Sequence, residues 1–190
     1  MKSHHHIIKG WLVALAILFG VATQGHAVLS QDLEIHVSIN ATKSLSAGTT
    51  YYDFGALSPN VSSVSASALV ITNDSTGLVE TYTLLAGNAI SDTAGTDWTL
   101  AASTGTNQYS LAAQFSTARP ADDSASWDAT DYMTSVAQVC TSTRFGNGNG
   151  TQSGASVNPS ATRNLWFRLH TPDITADPGA HTATVTLAVQ

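Results

Sequence analysis

Pro178-Gly179-Ala180-His181-Thr182-Ala183-Thr184-Val185-Thr186-Leu187-Ala188-Val189-Gln190, at the C-terminal end of the chain, decides its fold class. After the Pro-Gly turn the residues alternate without a break. Ala183, Val185, Leu187 and Val189 share one face, and Thr182, Thr184, Thr186 and Ala188 the other, which is the period of a half-buried strand. A lone strand of this kind is not stable in water. It needs neighbours to pair with and a second layer over its apolar face, so the remaining chain is expected to supply a layered β-structure.

Working back from that strand, Asn164-Leu-Trp-Phe-Arg-Leu169 sets Leu165, Phe167 and Leu169 against Trp166 and Arg168, and Thr171-Pro172 ends it. Residues 146–154 are glycine-rich and read as a turning loop, with residues 133–143 before them as strand or helical turn. Residues 107–116 (NQYSLAAQFS) place Tyr109, Leu111, Ala113 and Phe115 on one face, and Trp98-Thr-Leu-Ala-Ala102 reads as a shorter strand. Residues 64–72 and 78–85 are strands joined by Asn73-Asp-Ser-Thr-Gly77, a run suited to a hairpin or a sheet crossing. Residues 49–54 read as a short aromatic strand stopped by Gly55, and Pro59-Asn60 as a turn. Leu33, Ile35, Val37 and Ile39 alternate with Glu34, His36 and Ser38, the pattern of a first strand with one wet face. This makes about eight short strands and no amphipathic helix, the spacing of an all-β sandwich.

The N-terminus differs in kind. Lys2 and Lys9 flank a His-rich start, residues 11–21 form an unbroken apolar run, and Gly25 and Ala27 occupy the small-residue positions of a cleavage site. These are the parts of a secretory signal peptide, so residues 1–27 are expected to be removed and residues 28–190 to form one domain. The apolar run is short for a bilayer span and no second one follows, so no membrane span is expected after cleavage. The expected location is secreted, extracellular or at the cell surface, with the periplasm as another exported address. Without the leader, five basic residues stand against 13 acidic ones, a formal charge of −8. Lys43, Arg119, Arg144, Arg163 and Arg168 are scattered singly, which argues against nucleic acid or an anionic membrane as partner. Cys140 is the single cysteine. It is expected to be a small buried side chain, an intermolecular disulfide being the alternative.

The phrase from Val157 to Gln190, with its L-W-F-R-L strand, T-P exit and P-G-A-H-T-A-T-V-T-L close, resembles the last two strands of immunoglobulin-like domains on bacterial surfaces. Asp53-Phe-Gly55 and the strand ending Val70-Ile-Thr-Asn73 resemble the early part of such domains. The resemblance implies an immunoglobulin-like sandwich of two antiparallel sheets. A second resemblance, to WxL-type cell-wall-binding domains, runs through Asp53-Phe-Gly55 and Trp98-Thr-Leu100. Those domains carry two Trp-x-Leu motifs, and here Trp166-Phe-Arg-Leu169 has an extra residue.

No Gly-x-Ser-x-Gly elbow occurs, and His36, His170 and His181 are isolated in sequence, so no catalytic residue is assigned and the chain is not expected to be an enzyme. Glu34 and Glu80 have ordinary polar-face explanations. Asp122, Asp123, Asp128 and Asp131 form an acidic stretch with the oxygen ligands a calcium ion wants, but not in the D-x-D-x-D-G register; a solvated loop is the favoured reading and no cofactor is required. Trp127 and Tyr132 lie in the same stretch and are the candidate aromatic platform for a sugar. Two functions are therefore expected to compete. One is a surface structural or adhesion subunit, a filament or coat protein that associates with itself or with other surface proteins by donating or pairing residues 28–40. The other is a carbohydrate- or cell-wall-binding module whose partner is a polysaccharide.

Overall fold

A computed structural model of the chain describes residues 37–38, 41–148 and 152–190. The chain divides into Met1–Ile39, of which only Val37 and Ser38 are described, and Asn40–Gln190. The signal-peptide reading lies outside the described residues. So does the first strand apart from Val37 and Ser38, which are exposed and belong to no strand.

The second unit is all-β, with nine strands among the described residues and no helix. They are β1 (Leu45–Ala47), β2 (Ser62–Val64), β3 (Leu69–Asn73), β4 (Tyr82–Ser91), β5 (Thr99–Leu100), β6 (Gln108–Phe115), β7 (Gln138–Val139), β8 (Thr162–His170) and β9 (His181–Val189). One sheet of six strands runs β1-β3-β8-β6-β5, with β2 also on β8; the other runs β7-β4-β9. All pairings are antiparallel except β5 with β6.

The main core fills the space between the two sheets. From the larger sheet come Ile71, Leu165 and Phe167 together with Tyr109, Leu111, Ala113 and Phe115, the face expected from the alternation in β6. From the smaller come Tyr82, Leu84 and Ala86, all fully buried. Each large apolar side chain among them contributes roughly 1.5–3 kcal/mol by leaving water, and the alanines less. Gly154 sits against this core, where an added Cβ would lie 2.6 Å from Phe115 and 2.9 Å from the Cys140 sulfur. Gly154→Ala should therefore cost about 1–3 kcal/mol in denaturant unfolding, because both neighbours are held by packing.

Several elements differ from the sequence reading. The expected strand over residues 64–72 is one line along β8 broken into β2 and β3. At the break the Ser65 amide donates to Phe167 O (2.8 Å) and the Ser65 hydroxyl accepts from the Phe167 amide (3.2 Å). The joint after it is the sheet crossing, not a hairpin. Asn73, fully buried, donates through Nδ2 to Leu78 O and Val157 O while its Oδ1 accepts from the Ser75 amide and hydroxyl, so one amide side chain holds the turn. β4 starts later than expected and passes through Gly87, because a register shift between Ala86 and Ala89 absorbs the irregularity. Residues 49–54 are not a strand. Tyr52 and Phe54 pack edge to face at 4.9 Å and Asp53 caps the Gly55 amide, so ring packing and a side-chain turn replace a ladder. Glu80 is not on a wet face but 1% exposed, with Oε1 accepting from the Ser44 amide.

A second cluster lies on the opposite face of the larger sheet, where Val64, Ala112 and Trp166 meet Trp127, with Ala68 and Tyr132 against them. Trp127 is supplied by the irregular stretch between β6 and β7, which thus acts as a third layer. That is why Leu111 through Phe115 of β6 are buried on both faces.

Candidate functional site

β9 lies at the edge of the smaller sheet and, among the described residues, pairs with β4 alone. Its side chains alternate as expected, half-buried at Ala183, Val185, Leu187 and Val189 and exposed between them. The Gln190 amide donates to Thr81 O, which makes residues 81 and 190 a hydrogen-bonded pair. By the antiparallel alternation, Thr186 and Ala188 turn their backbone groups toward β4, and Val185, Leu187 and Val189 turn theirs to the open side. Across the register shift the Asp92 amide bonds Ala180 O, which puts Ala183 in the same outward row.

This edge is long where the others are short. β1 has three residues, and β5 and β7 two each, against nine in β9. Nor does β9 carry a lysine, a proline or an inward charge, the usual means by which an open edge is closed to other strands. The apolar cover is also incomplete there. Leu84 and Ala86 of β4 are fully buried, whereas the four inward side chains of β9 retain contact with solvent.

One end of β9 is anchored by His181. Its ring stacks on Trp98 at 3.9 Å and 17°, Nδ1 lies 2.8 Å from Gly179 O, and Nε2 lies 3.0 Å from Thr96 O. Asp177 Oδ2 is 3.8 Å away and accepts from the Ser91 hydroxyl at 2.6 Å. Hydrogen bonds from Ser91 and the Gly179 amide hold the Asp177 carboxyl below the ordinary carboxylate range. His181, isolated in sequence, is thus part of a clasp between the turn after β4 and the turn before β9. At the other end, Lys43 Nζ donates to Gln190 O.

The four aspartates of the acidic stretch do not converge. Asp122 Oδ1 pairs with Arg168 Nε at 2.7 Å and accepts from the Ser62 hydroxyl at 2.8 Å. Partial burial works against its charge, but the Arg168 and Ser62 hydrogen bonds outweigh this and keep its carboxyl low. Asp123 accepts from the Ser126 amide, and Asp128 from the Thr130 amide and hydroxyl. Asp131 is 1% exposed; its Oδ2 accepts from the Asp128 amide (3.0 Å) and Gln114 Nε2 (3.2 Å). Its Oδ1 is buried without a hydrogen-bond partner, the Phe145 amide facing the carboxylate without reaching bonding geometry. Burial pushes the Asp131 carboxyl up to about 7. Among the described residues, no three His, Cys, Asp or Glu side chains gather as metal ligands.

The proposed platform residues are placed differently from each other. Trp127 is 3% exposed, with its indole N–H donating to Ala121 O at 2.8 Å, so its face is packed against the second cluster instead of laid open. Tyr132 is half-buried, and its hydroxyl accepts from Arg168 Nη1 at 3.3 Å. A polar cavity of about 340 Å³ lies nearby, lined by Gln114, Arg119, Asp128, Asp131 and Asn147 among others. Arg119 was not singled out by the sequence. Its guanidinium donates to Ser65 O and Val64 O, tying the stretch to the end of β2. Cys140 is buried in the main core, and its desolvated thiol is pushed up to about 12, which makes it a poor nucleophile at neutral pH.

No family model, curated protein or solved structure matches this chain, so the geometry of its own residues carries the functional reading.

Proposed function

We propose that this chain is an exported structural or adhesion subunit that assembles at the cell surface by pairing a strand onto the open edge of β9. An immunoglobulin-like arrangement of the two sheets goes with that reading. The observation that carries it is the nine-residue edge: an outward row of backbone groups with no partner strand among the described residues, no lysine, proline or inward charge on the strand itself, and a core that stays partly open along its length. Its partners are other copies of the chain or other surface proteins. The carbohydrate- or cell-wall-binding alternative ranks second, because the indole it would use is already packed against Trp166.

Light scattering of the chain lacking residues 1–27 tests this. Mass should grow with concentration, and Val185→Lys should raise the concentration needed by at least about tenfold. A lysine there can reach water from an open edge, but would be buried by an added strand. Leu187→Pro is the second variant, since it removes an outward N–H and leaves the bonds to β4 intact. Circular dichroism confirms that each variant is folded. A monomer at every concentration would overturn the proposal.

A further inference from the structure

We infer that the strand that occupies the β9 edge is residues 33–39 of a second copy of this chain; this rests on the assembly reading above and names its donor. Three observations converge on that segment. The first is a match of length and period. The acceptor row Ala183, Val185, Leu187 and Val189 spans seven residues with an apolar side chain at every second position. Leu33, Ile35, Val37 and Ile39 span seven with the same spacing. A strand so patterned can direct four apolar side chains over the open border of the core while its backbone satisfies the outward row.

The second observation is the exposure of Val37. Val37 is 78% exposed, and Val37 and Ser38 pair with nothing among the described strands. Val37 is thus an exposed apolar side chain at an alternating position, and among the described residues the outer side of β9 has no partner strand. A second copy of the chain can bring the two together. The third is charge. Lys43, whose Nζ donates to Gln190 O at one end of this edge, is opposite in sign to Glu34, the single carboxylate of the donor. Each copy then has one donor and one acceptor. Such a contact is head-to-tail and propagates into a filament unless the rotation closes a ring.

Point variants in the full mature chain test the inference without removing any part of it. Val37→Asp places a charge on the face that would be buried, and Ser38→Asp places the same charge on the opposite face. Val37→Asp should raise the assembly midpoint in light scattering by at least about tenfold, and Ser38→Asp should leave it within about threefold. Mixing is the decisive arm. Val37→Asp retains its edge and Val185→Lys retains its donor, so each alone stays monomeric while an equimolar mixture forms a one-to-one dimer by size exclusion.

The outcomes separate. If Val185→Lys blocks assembly and Val37→Asp does not, the edge is used but this donor is wrong. If neither variant changes assembly, the edge itself is not the contact and the functional reading fails as well. If the mixture stays monomeric and the β9 amides are protected at all dilutions, the segment pairs within its own chain and a second copy is not the donor.

Discussion

Trp127→Ala is expected to lower the unfolding free energy by about 3–5 kcal/mol, the range for truncating a large buried aromatic. The indole joins the stretch between β6 and β7 to Val64, Ala112 and Trp166 on the outer face of the larger sheet. Its N–H also closes a local turn on Ala121 O. Removing it leaves a cavity under a segment that has no strand of its own. Urea unfolding gives the magnitude, and limited proteolysis shows where it acts, since cleavage should concentrate in residues 117–132. Trp127→Phe keeps most of the packing, loses the hydrogen bond and should cost about 1–2 kcal/mol. A loss below about 1 kcal/mol for the alanine variant would mean that the stretch is a solvated loop and not a third layer.

Asp131→Asn should stabilise the protein above pH 7 and do little at pH 4. Burial raises the folded carboxyl to about 7 from an ordinary 3.8. The folded chain therefore holds a proton that the unfolded chain releases between those limits. The contribution is fully present below pH 4 and is lost as pH rises through 7, a change of roughly 2–4 kcal/mol. The amide oxygen of Asn can replace Oδ2 as acceptor for the Asp128 amide and Gln114 Nε2, without a charge to desolvate. Denaturant titrations at pH 4.5 and 8.5 measure the difference. A gap between wild type and variant that is the same at both values would show that Asp131 acts through its shape alone.

The elements that were legible in the sequence are those whose side chains alternate. β9 alternates Thr against Val and Leu because only one side is covered, and the observed burial follows that pattern residue by residue. The inward face of β6 was readable from its alternation of Tyr109, Leu111, Ala113 and Phe115, although that strand is covered on both sides. Its outward face was not, because the layer over it is irregular chain whose contact through Trp127 leaves no period. Residues 49–54 have strand composition and no strand, since Tyr and Phe suit a pleated surface and a packed loop equally well. The acidic stretch showed its charges but not their partners. Asp122 meets Arg168 across 46 positions, and the orphaned oxygen of Asp131 is a product of packing that no spacing announces. Most of all, the strand pattern of β9 identified a half-buried strand without saying that it would stand at an edge. That position depends on which strands its sheet lacks.

Hydrogen exchange at the amides of Val185, Leu187 and Val189, followed as a function of protein concentration, tests the central claim most directly. An open edge used for assembly predicts rapid exchange in dilute solution and protection that rises with the assembled fraction, while Thr186 and Ala188, bonded to β4, stay protected throughout. Equal protection of both sets in the dilute monomer, or rapid exchange of the outward set in assembled material, would contradict it.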